Sequence, residues 1–85
     1  MAADLAVITL HRILGRERAV LFVSHDADDG GWQFLDGQPS AVDDAAVAGL
    51  QQMFLLDPSL AELVGLPEGW CARRANTAWQ RSPIS

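Results

Sequence analysis

Four groups of residues in this chain have side chains that enzymes and metal sites use. Ser24-His25-Asp26 carries the three letters of a hydrolase relay, in which a hydroxyl attacks a carbonyl, an imidazole takes its proton and a carboxylate orients the imidazole. Their order along the chain defeats that chemistry, because neighbours on a strand point to opposite faces. Ser24 also lacks the flanking glycines that a strained nucleophile turn requires. His25 therefore reads as a histidine at the end of a hairpin strand. Metal binding by His11 and His25 would need adjacent strands in a favourable register and a third ligand that the sequence does not identify.

Asp26, Asp28 and Asp29 ahead of Gly30 have the look of an acidic calcium loop, but the spacing fails. Counted from Asp26, the fifth position is Gly30 and the twelfth is Gly37, where such a loop needs an oxygen ligand and a glutamate. A solvated hairpin turn accounts for these acids. Cys71, with Arg73 on its strand face and Arg74 on the other, has no fixed base to make its thiol a nucleophile and reads as a small packed side chain. No catalytic residue, metal site or cofactor is expected, and the chain is read as a non-enzyme.

The elements that position these residues begin with Leu5–Leu14, a run rich in β-branched residues that reads as a strand closed by the polar turn Gly15–Arg18. Ala19–His25 reads as a second strand, Asp26–Gly31 as a turn, and Trp32–Leu35 as a third strand with Trp32 and Phe34 on one face. Beyond Pro39, Ala46, Val47, Leu50, Met53 and Phe54 recur at helical spacing, after Ser40 and Asp43 in the arrangement of a capping box. Asp57-Pro58 starts a second short helix, which Gly65 and Pro67 end. Trp70–Arg74 reads as a strand returning to the sheet, and residues 76–85 as a polar tail. The expected fold is α+β: a three-stranded antiparallel meander, two helices packed on one face and a C-terminal strand returning to the sheet.

At 85 residues the chain is one fold unit, and its net charge of −5, without any run of Lys or Arg, argues against nucleic acid as a partner. A basic protein would suit this charge. One cysteine leaves no intrachain disulfide, the segment from Met1 to Leu10 has no basic start, and no apolar stretch has the length of a membrane span. A cytoplasmic protein away from the membrane is the expectation.

Two residue sets suggest contacts. Trp32 and Trp70 begin strands and read as core, whereas Trp79 lies in a polar context and offers a partner anchor. Asp28, Asp29, Asp43 and Asp44 fall at the hairpin tip and the first helix's start, and a meander would bring such acids toward one rim.

Gly31-Trp32-Gln33-Phe34, Asp36-Gly37, Asp57-Pro58-Ser59-Leu60 and Leu66-Pro67-Glu68-Gly69 together resemble a family of small bacterial proteins of unknown function. Its members carry a D-x-G-W-x-F strand, a helical D-P-[ST]-L segment and a proline-glycine return. That family resembles immunity proteins of polymorphic toxin systems, and the likeness covers the chain from about the second strand onward. The resemblance implies an antiparallel sheet flanked by helices and transfers no catalytic residue. The expected function is a protein-binding module of immunity type, an inhibitor of a protein toxin, with Asp28, Asp29, Asp43, Asp44 and Trp79 toward the partner. The alternative is a structural or regulatory protein that self-associates as a homodimer through a strand edge.

Overall fold

The computed structural model describes residues 5–84; Asp4, read with the N-terminal segment, and Ser85 lie outside them. In chain order the elements are β1 (Ala6–Leu10), α1 (His11–Leu14), β2 (Phe22–His25), β3 (Trp32–Leu35), a 3-10 turn (Val42–Asp44), β4 (Ala45–Gly49), α2 (Leu50–Leu56), a 3-10 segment (Pro58–Leu63), β5 (Trp70–Ala75) and β6 (Ala78–Pro83). All six strands form one mixed sheet in the order β4-β1-β3-β2-β5-β6.

This corrects the expected three-stranded meander. β1 does not pair with β2; it runs parallel to β3, with Ile8 opposite Gln33, and antiparallel to β4. The β2–β3 hairpin forms as expected, with His25 opposite Trp32, and β5 returns antiparallel to β2. The polar segment read as a tail instead carries β6, paired along its whole length with β5.

The helical spacing of Ala46 to Phe54 conceals two elements. Ala45–Gly49 is extended and alternates exposed with buried positions, so Ala46 and Ala48 pack inward while Ala45 and Val47 face out. The ladder to β1 satisfies backbone groups that a helix would have left unpaired on β1, and that long-range gain outweighs the helix preference of alanine. The helix proper begins only at Leu50. The Ser40–Asp43 box is not formed either; Asp44 reaches back and accepts the Ala41 amide at 2.8 Å. Leu5–Leu14 divides in the same manner, because after Leu10 the chain turns helical and buries Ile13 completely.

α2 and the following 3-10 segment cover one face of the sheet. Met53, Leu60 and Leu63 join Val7, Val23 and Phe34 in the core. Asp57 caps the 3-10 segment as expected, its carboxylate accepting the Ser59 amide at 3.1 Å. The opposite face presents Ile8, Val47, Phe22, Ser24, Cys71 and Arg73, side chains that share the other parity of the strands.

Candidate interaction surface

The residues of the apparent relay separate as strand alternation requires. His25 lies on the helix-covered face, where Nδ1 donates to the Leu66 carbonyl at 2.7 Å and the ring stacks on Trp32 at 4.0 Å. Ser24 lies on the other face between Gln33 and Cys71, and Asp26 accepts from Gln33 Nε2 at 2.9 Å. His11, exposed after the end of β1, is at the opposite end of the sheet from His25. Among the described residues no three His, Cys, Asp or Glu side chains converge as metal ligands would. Cys71 is buried with Sγ 3.6 Å from Ser82 Oγ, and Arg73 lies over the Phe22 ring at 4.8 Å, away from a role beside the thiol.

The four acids fall into two pairs at opposite ends. β2 rises to the hairpin tip that holds Asp28 and Asp29, where Asp29 accepts the Gly31 amide at 2.8 Å and fixes the turn. β3 and β1 run the other way, and β4 starts where they end, so Asp43 and Asp44 sit at the far end of the sheet. Arginines meet the acids there. Arg12 donates to the buried Asp36 carboxylate through Nε at 2.6 Å and Nη2 at 3.1 Å, its Nη1 lies 3.5 Å from Asp44, and Arg18 Nε lies 3.4 Å from Asp36. The Arg12 hydrogen bond, helped by the Gln38 amide and opposed by burial, holds Asp36 at about 2, and the same contact raises Arg12. Among the described residues no ion pair reaches Asp28, Asp29 or Asp43.

Trp79 packs at the edge of the covered face. The Arg74 guanidinium lies 4.4 Å from its ring centroid and donates to Asp57 at 3.1 Å, which ties β5 and β6 to the covering layer. Half-buried in that stack, Trp79 does not stand clear of the fold.

The residues that sequence reasoning missed lie on β4 and beside it. Leu50 N–H donates to Leu5 O at 2.8 Å, which continues the β1–β4 ladder and makes the even-numbered residues of β4 its hydrogen-bonding partners. The N–H and C=O groups of Ala45, Val47 and Gly49 therefore lie on the outer side of β4, where the Ala45 N–H closes the 3-10 turn on Val42 O and those of Val47 and Gly49 face outward. Val47 is 69% exposed and Ile8, its register partner, 41%. At the other edge Ile84 N–H donates to Gly69 O at 2.7 Å, so by the same alternation the outward residues of β6 are Trp79, Arg81 and Pro83. Ala45-Ala46-Val47-Ala48-Gly49 holds no alternation of apolar with polar residues that could have located the β4 surface, and a helical reading of the same letters absorbs it.

The sequence matches no family model and no curated protein, and the fold matches no solved structure.

Proposed function

We propose that this chain is a non-enzymatic protein-binding module that contacts its partner through the β4 edge and the sheet face beside it. The observation that carries this reading is the uneven cover of the sheet: α2 and the 3-10 segment pack on one face, while Ile8 and Val47 stand exposed side by side on the other, against an edge strand. Adjacent exposed apolar side chains next to unpaired backbone groups are the usual makings of a contact surface.

The resemblance to immunity-type proteins points to a protein toxin as the partner. The net charge of −5 favours a basic one, with Asp28 and Asp29 at one end and Asp43 at the other contributing to steering. A capture experiment with Ile8→Lys and Leu55→Lys tests the binding surface. Leu55 is 82% exposed on α2, which makes it a control of equal chemistry on the covered side. A specific protein retained by the unmodified chain and by Leu55→Lys but lost with Ile8→Lys supports the reading. Retention by all three, or by none, contradicts it.

A further inference from the structure

The geometry points to a second copy of this chain as an occupant of the β4 edge, paired antiparallel about a two-fold axis at Val47. This rests on the binding-module reading and specifies one partner for the same surface.

The backbone of β4 fits itself. Its outward-facing residues are Ala45, Val47 and Gly49, and a two-fold through Val47 places Val47 opposite its own copy and Ala45 opposite Gly49 of the copy. These are the hydrogen-bonded positions of an antiparallel ladder; the Ala45 N–H is already donated to Val42 O, so about four hydrogen bonds would close across the axis, two between the Val47 residues and one from each Gly49 N–H to Ala45 O of the other copy. Shifting the register by one residue in either direction leaves at least one outward residue without an extended partner, because α2 begins at Leu50 and the 3-10 turn ends at Asp44. The length of the strand therefore selects one register.

Side chains agree with that pairing. On the uncovered face the register partners Ile8 and Val47 would continue into Val47 and Ile8 of the copy, forming one apolar row from two exposed pairs. On the covered face Ala46 meets Ala48 of the copy, and neither carries more than a methyl group. β4 itself holds no charge, proline or bulge, the devices by which edge strands resist pairing. Like charges stay apart as well. Asp44 falls opposite Leu50 of the copy, which separates the two Asp44 residues by roughly 20 Å along the strand, more than the screening length at physiological salt.

Sedimentation equilibrium over a concentration series up to about 1 mM tests the proposal with the unmodified chain, Val47→Lys, Ala45→Lys and Leu55→Lys. Val47 and Ala45 are both exposed, and circular dichroism confirms that each variant is folded. The expected result is a reversible dimer whose dissociation constant rises at least about tenfold in Val47→Lys and Ala45→Lys, through a cation at the centre or margin of the edge, and stays unchanged in Leu55→Lys. A monomer across the whole range, or a dimer indifferent to Val47→Lys and Ala45→Lys, overturns the self-pairing. The capture experiment separates that failure from the broader one. A monomer that still retains a different protein in an Ile8-dependent manner overturns the second copy alone, whereas a monomer that retains nothing removes the binding surface too.

Discussion

At its two ends the same sheet is finished in opposite ways. The outward residues of β6 are Trp79, Arg81 and Pro83: the proline offers no N–H, and the arginine reaches over the covering layer to donate to Glu62 O at 2.6 Å. An incoming strand would find one donor missing and a cation in its path. The outward residues of β4 are Ala45, Val47 and Gly49, which carry no charge or proline; only the Ala45 N–H among their three amides is already engaged, by Val42 O. Within one sheet, edge protection is therefore local, supplied by particular residues on β6 and omitted on β4. The two margins also share a device, since each is strapped to the rest of the fold by an arginine. Arg12 joins α1 to Asp36 and Asp44 near β4, and Arg74 joins the β5–β6 hairpin to Asp57 under the face of Trp79.

The straps can be cut one at a time. Asp36→Ala removes a buried carboxylate that takes two hydrogen bonds from Arg12 and one from Gln38, and it should cost about 2 to 3 kcal/mol in urea unfolding. The same carboxylate predicts a pH dependence. Its folded value of about 2 lies below the ordinary 3.8, so it is more readily ionised in the folded state. Its contribution is fully present above about pH 4, and is lost as pH falls through that value toward about 2. Asp36→Asn should flatten this acid limb of the stability curve, and an unchanged limb would show that another group controls it.

Trp79→Ala at the opposite margin should cost about 1 to 2 kcal/mol, through the lost cation–π contact and half-buried ring. A loss larger than that of Asp36→Ala would reverse the ranking of the two straps. Val47→Lys, at an exposed site with no hydrogen bond from its side chain, should leave monomer stability within about 0.5 kcal/mol while weakening self-pairing. Pro83→Ala should have the smallest effect on stability, also within about 0.5 kcal/mol. It restores an outward N–H on β6, and new self-association through β6 would show that the proline guards that edge.

Local chemistry made some of this legible in the sequence. The turn from Asp26 to Gly31 and strand Trp32–Leu35 rest on adjacent residues, with Asp29 fixing the turn through Gly31, and the Asp57-Pro58 cap is equally local. What the letters hid depends on distant partners. Ala45–Gly49 suits a helix until β1, some forty residues earlier in the chain, demands a ladder partner. The parallel pairing of Ile8 with Gln33 has no local signature. β6 leaves almost every side chain exposed, so no apolar alternation marks it as a strand. The acids were visible as residues, but whether they met was decided by strand direction, which put Asp28 and Asp29 at one end and Asp43 and Asp44 at the other. Arg12, unremarked within an apolar run, proved to be the organiser of the second group.

Amide hydrogen exchange resolved by residue, measured at low and high protein concentration, tests the unguarded β4 edge most directly. The outward amides of Val47 and Gly49 should exchange rapidly when dilute and gain protection together as concentration rises, while those of Trp79 and Arg81 remain fast throughout. Concentration-dependent protection at Trp79 and Arg81, or none at Val47, would contradict the assignment of β4 as the pairing edge.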